Sequence, residues 1–124
     1  MPIITLYGLP SRLAETPELE ELVMTTLPNA VASIKELGIA ADQVTTFVPR
    51  DMLSKGLGNE VIAFIEGLFQ KEERTPEVKQ RLADTVKDAL TAFCRNHIRE
   101  CGLIEVIPRS QRPNDGFAHW EGGF

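Results

Sequence analysis

Residues 2–19 read PIITLYGLPSRLAETPEL and residues 61–78 read VIAFIEGLFQKEERTPEV. An offset of 59 lays Gly8-Leu9 on Gly67-Leu68 and the TPEL of 16–19 on the TPEV of 75–78. Carried on without a gap, the same offset lays Thr26, Ala30 and Ile39 on Thr85, Ala89 and Ile98, and Pro49-Arg50 on Pro108-Arg109. A single register held over that length marks an internal duplication.

Each half reads strand, helix, strand. Pro2–Leu9 and Val61–Leu68 are continuous apolar runs of the kind that form strands covered on both faces. Thr16 and Thr75 are N-cap residues, each followed by a proline at the first helical position, where a missing N–H costs nothing. Leu19, Leu22, Val23, Leu27, Ala30, Val31, Ile34 and Leu37 recur at helical spacing up to Gly38, with Pro28 placed to kink or break that helix. Val78, Leu82, Val86, Ala89, Leu90 and Phe93 repeat the stripe in the second half. The closing strands are Val44–Val48 and Leu103–Ile107, each stopped by Pro-Arg.

A strand, a helical crossover and a second strand make a parallel pair. Two such units predict an α+β chain: one four-stranded sheet with both helices on one face. The strands are too apolar for the other face to stay wet, so the pattern predicts self-association through the sheet face or its edges. The expected organisation is one domain over 1–124, with repeats at 2–50 and 61–109 and a tail at 110–124. Asp51–Glu60 reads as a loop or short hairpin, and Phe117–Trp120 as a short strand within the tail.

The chain has 124 residues, 43% hydrophobic and 25% charged, with a net charge of −5. That balance argues against a general binder of nucleic acid or anionic membranes, which needs a basic face, while leaving room for a local basic pocket. No apolar run is long enough for an export signal or a membrane span, so the expected location is cytoplasmic. Cys94 and Cys101 are the only cysteines. Read as two turns apart on one helix, they are core fillers too far apart to bridge.

The opening MPIITLYGLPSR holds Pro2 and, ten residues on, Arg12. With the duplicated β-α-β unit, it resembles the tautomerase superfamily of oxalocrotonate tautomerase, carboxymethyl-hydroxymuconate isomerase and macrophage migration inhibitory factor. The likeness covers roughly 2–109. It implies a homotrimer and a cofactor-independent enzyme that moves a proton between keto and enol forms of a small 2-oxo acid. Decarboxylation or hydration by the same group falls within the same family. In that reading Met1 is removed and Pro2 presents a secondary amine as general base. An α-amine titrates at about 7.7–8.0 in model peptides, and burial or nearby cations leave more of it neutral. Arg12 matches the family's carboxylate-binding arginine. The family's second arginine aligns with Thr45, with Arg50 as its substitute five residues on.

Each candidate has a plainer reading. Pro2 also serves as the entry to a strand if Met1 stays. Arg12, Arg50 and Arg109 are carboxylate forks in one reading and solvated arginines in the other, the last two paired by duplication alone. Trp120, with Phe117, either anchors the tail or walls a substrate site. Tyr7 falls on the strand face opposite Pro2 by alternation. His97 suits a helix C-terminus, and neither it nor His119 has partners at metal-ligand spacing, so no metal is expected. The enzyme reading stands against a non-catalytic binding or assembly protein of the same fold. The partners expected are a small carboxylate and further copies of the chain.

Overall fold

A computed structural model of the chain describes residues 1–49, 60–99 and 101–123. Its sheet has four strands: β1 (Ile3–Tyr7), β2 (Thr45–Phe47), β3 (Glu60–Phe69) and β4 (Leu103–Gln111), in the spatial order β2-β1-β3-β4. β2 runs parallel to β1 and β4 parallel to β3, as two β-α-β units require, and the units join where β1 and β3 run antiparallel. Ile3 faces Glu66 and Tyr7 faces Ile62 across that central pair. The start of β1 therefore lies beside the end of β3.

The helices begin where the threonines place them. The Thr16 Oγ1 accepts from the Leu19 N–H and the Thr75 Oγ1 from the Val78 N–H, both at 3.3 Å. The second repeat forms one helix, α3 (Pro76–His97). The first is broken up: α1 (Pro17–Glu21), a wide π turn over Leu22–Thr26, then α2 (Leu27–Ala32). Pro28 explains the break. It has no N–H to give, and the turn ahead of it widens so that the Leu27 N–H bonds to the Leu22 carbonyl, five residues back. The helix expected to reach Leu37 stops at Ala32. Ile34 is extended, and Leu37 ends a 3₁₀ turn closed by Gly38 at φ +64°.

The core lies between one sheet face and the helices. Ile4 and Leu6 of β1, Val61, Ala63 and Ile65 of β3, Leu22, Leu27 and Val31 of the first repeat and Leu82, Val86 and Leu90 of α3 are all buried in it. Strand alternation sends Ile3, Tyr7, Ile62 and Phe64 to the opposite face, which no helix among the described residues covers; Tyr7 stays 39% exposed and Phe47 56%. Phe64 and Tyr7 meet edge to face there, with ring centroids 6.0 Å apart.

Three further expectations need correction. Pro108-Arg109 does not end β4, which runs on to Gln111; Pro108 sits on an edge strand, where a missing N–H need not cost a ladder bond. Phe117–Trp120 is irregular rather than a strand. Cys101 lies beyond the end of α3, so the two cysteines are not stacked along one helix. Of the Asp51–Glu60 segment, Glu60 opens β3 and the rest lies outside the described residues.

Candidate active site

Pro2 is buried at the entry to β1, where its carbonyl accepts from the Thr45 N–H at 3.1 Å. Opposite it is the bulge of β3, where Gly67 takes φ +79°. A Cβ at Gly67 would collide with the Met1 carbonyl oxygen and stand 3.5 Å from the Pro2 Cα. Only glycine lets the two backbones cross this closely. Gly8, its repeat counterpart, is at φ +91° against the Glu60 carbonyl in the same way.

Pro2 lines a cavity of about 170 Å³ together with Ile39, Gln43, Phe69, Lys71 and Arg74. The antiparallel pairing of β1 and β3 brings these residues together, because the chain leaving β3 passes the N-terminal end of β1. Arg74 is held there firmly: its Nη1 donates to the Phe69 carbonyl at 2.8 Å and its Nη2 to the Leu37 carbonyl at 2.9 Å. Its Nε is buried with no hydrogen-bond partner, one of two such side-chain atoms among the described residues. A buried donor left unpaired is costly, and a carboxylate is the acceptor that best matches a guanidinium. The cavity thus combines a strand-opening proline with two cations in a molecule of net negative charge.

Arg12, Arg109 and Trp120 do not line this cavity. Arg12 follows the far end of β1, and its Nη2 donates to the His97 carbonyl at 2.9 Å, capping α3. Arg109 is on the uncovered sheet face, its guanidinium carbon 4.5 Å from the centroid of the Phe64 ring. Arg50 lies outside the described residues. Trp120 is 63% exposed in the tail, while Phe117 packs edge-on against Phe69 at 4.9 Å and so seats the tail on the cavity wall. Lys71 and Arg74 were missed by the sequence reading, although the offset of 59 lays Lys71 on Arg12.

A larger groove of about 520 Å³ runs between α1 and α3, lined by Glu18, Glu21, Phe93 and His97 among others. Its acidic rim would repel a carboxylate, and Pro2 is not part of it. Among the described residues no group of three His, Cys, Asp or Glu side chains could hold a metal, and no helix is long and apolar enough to cross a membrane.

The architecture is the tautomerase fold: two β-α-β units joined through antiparallel central strands, with the helices on one face. Among solved structures it is similar to a wild-type fused 4-oxalocrotonate tautomerase, an asymmetric trimer, at 17% identity and TM-score 0.63 over 94% of this chain and 91% of that one. It is similar to the FG41 malonate semialdehyde decarboxylase inhibited by 3-bromopropiolate at 19% identity and TM-score 0.55, over 100% and 89%. A 5-carboxymethyl-2-hydroxymuconate isomerase from Deinococcus radiodurans R1 matches at 16% identity and TM-score 0.57, over 95% and 88%. No protein-family model matches the chain, and no curated protein matches it at a significant level.

Proposed function

We propose that the chain is a cofactor-independent tautomerase-type enzyme that interconverts keto and enol forms of a small 2-oxo acid. The observation that carries this reading is the cavity shared by Pro2, Lys71 and Arg74. With Met1 removed, the Pro2 nitrogen is a free amine at the cavity wall. Its lone pair takes the proton from the enol oxygen and returns one to the neighbouring carbon, passing through the cationic ammonium. Lys71 and Arg74 hold the carboxylate and offset the charge that develops on the enolate. In this arrangement they take the role that the family resemblance gives to Arg12, which here caps a helix.

The proposal includes a homotrimer, a reading supported by the fused 4-oxalocrotonate tautomerases of similar fold, which are named as trimers. Ile3, Tyr7, Ile62 and Phe64 supply the uncovered apolar face that assembly would bury. Trp120 and Arg109 then become contributors to a site walled by neighbouring copies.

The test compares processed protein, its mass confirming loss of Met1, with a form carrying one added residue before Pro2. Phenylenolpyruvate ketonisation is the assay. The processed form is expected to be active, with a rate that rises with pH as the amine loses its proton. The extended form is expected to be inactive, since an acylated proline nitrogen has no usable lone pair. Equal activity in both would remove Pro2 from the chemistry. Inactivity of both on several enol acids would leave the non-catalytic binding reading in its place.

A further inference from the structure

Cys94 and Cys101 form a second chemical site, remote in the chain from the proline cavity. Cys94 is buried in the last turns of α3, while Cys101 is partly exposed just before β4. Because α3 ends at His97, the chain turns back and brings Cys101 to the same cavity that Cys94 lines, where the Cys101 thiol donates to the Leu103 carbonyl at 3.7 Å. Both line an open cavity of about 480 Å³ with Arg95, Arg99 and Ile98, and Cys101 also lines a neighbouring one of about 290 Å³ with Lys87. One thiol is therefore reachable from solvent through mouths lined by cations, and the other lines the same cavity but is buried.

We propose that Cys101 and Cys94 are a peroxide-reactive dithiol that closes to an intramolecular disulfide. The oxidant is hydrogen peroxide or an organic hydroperoxide. The Cys101 thiolate attacks one peroxide oxygen and the O–O bond breaks; the other oxygen leaves with a proton as water or alcohol, and Cys101 becomes a sulfenic acid. The Cys94 sulfur then attacks the Cys101 sulfur and the S–O bond breaks. The departing hydroxide carries off the Cys94 proton as water. Two thiols have given up two electrons, and the peroxide has taken them. An external dithiol reverses the bond by exchange. Burial of Cys94, followed by its contact with Cys101, pushes its thiol from 9.0 up to about 12. Cys94 is thus held in the unreactive form until a sulfenic acid is placed against it, which fixes the order of the two steps.

The test treats the reduced full-length protein with a small excess of hydrogen peroxide near neutral pH, blocks the remaining thiols and reads intact mass and peptide map. Both thiols are expected to disappear together, with a mass lower by two hydrogens, a Cys94–Cys101 linked peptide and full recovery with dithiothreitol. In Cys94→Ala the reaction should stop at a sulfenic acid on Cys101 that dimedone traps. In Cys101→Ala the Cys94 thiol should survive the same dose. Circular dichroism checks that each variant is folded; if either is not, the wild-type map decides alone. Oxidation of Cys101 with Cys94 left free, a disulfide between chains, or a Cys94 that reacts as fast without Cys101 would each overturn the proposal. None of these readouts depends on the activity assigned to Pro2.

Discussion

Replacing Gly67 by alanine separates two costs that the fold places at the N-terminus. The first is conformational. At φ +79° an alanine pays about 1–2 kcal/mol, of which about 0.4–1 is returned because the unfolded chain is stiffer. The second is steric, because the new Cβ would stand inside the 3.0 Å that real Cβ atoms keep, against the Met1 carbonyl. Moving that backbone away disrupts the end of the β1–β3 ladder, where Ile3 faces Glu66, at about 0.5–1.5 kcal/mol per hydrogen bond. The expected loss is about 2–4 kcal/mol when Met1 is retained. Gly38→Ala is the control: its φ is +64°, but a Cβ there meets nothing within 4 Å, so it should lose only about 1 kcal/mol. Once Met1 is cleaved, the colliding carbonyl is gone and the next neighbour, the Pro2 Cα, is at an ordinary 3.5 Å. The Gly67→Ala cost should then fall to that of Gly38→Ala. Denaturant unfolding at one fixed protein concentration, on processed chains and on chains with a residue added ahead of Met1, makes the comparison. Equal losses for the two variants in the Met1-retaining protein would refute the crossing of Gly67 over the terminus.

Arg74→Gln should weaken binding of a small 2-oxo acid about tenfold or more, the worth of a hydrogen bond to a charged group, whereas Arg12→Ala should change it less than about threefold. Titration calorimetry checks this, and the reverse ranking would return the carboxylate to Arg12. Ile62→Glu puts a carboxylate on the uncovered sheet face next to Glu105, and light scattering should show monomers in place of an oligomer. A neutral Cys94 favours the folded chain, and its raised titration means that this contribution is whole below the unfolded thiol's range near 9 and is lost towards about 12. Wild type should therefore lose about 1.4 kcal/mol per pH unit more than Cys94→Ala across that window, measured by urea unfolding. Parallel slopes would show that Cys94 is not held neutral.

The fold was legible because its determinants are local and occur twice. Thr16-Pro17 and Thr75-Pro76 announce helix starts without any tertiary context, and the apolar runs around Ile4 and Ile65 announce covered strands. Even the break in the first helix was written in Pro28, although a widened turn of the helix is one of several ways to satisfy a proline, and packing selects among them. The site was less legible, because it depends on which strand ends meet. Arg74 looks like a solvated residue between Glu73 and Thr75 until the antiparallel β1–β3 pairing carries it to Pro2. The cysteines misled for a related reason: stacking 94 over 101 assumes a helix that runs past His97, whereas the chain leaves the helix there and brings both cysteines to one cavity.

The paired glycine crossings have a consequence for how a fused chain divides its labour. Gly8 and Gly67 mark two equivalent corners, one where Pro2 enters the sheet and one where Val61 does. In a duplicated chain the second of these corners is reached from the first half through a peptide bond. The nitrogen of Val61 is a peptide amide, so its corner can never offer an amine, whatever surrounds it. The basic residue after β1, Arg12, serves as the cap of α3, while its repeat counterpart Lys71 lines the cavity at the Pro2 corner. Under the proposed function, only one of the two corners in each chain can carry the amine, and the residues around the other are left for structural work of the kind Arg12 performs.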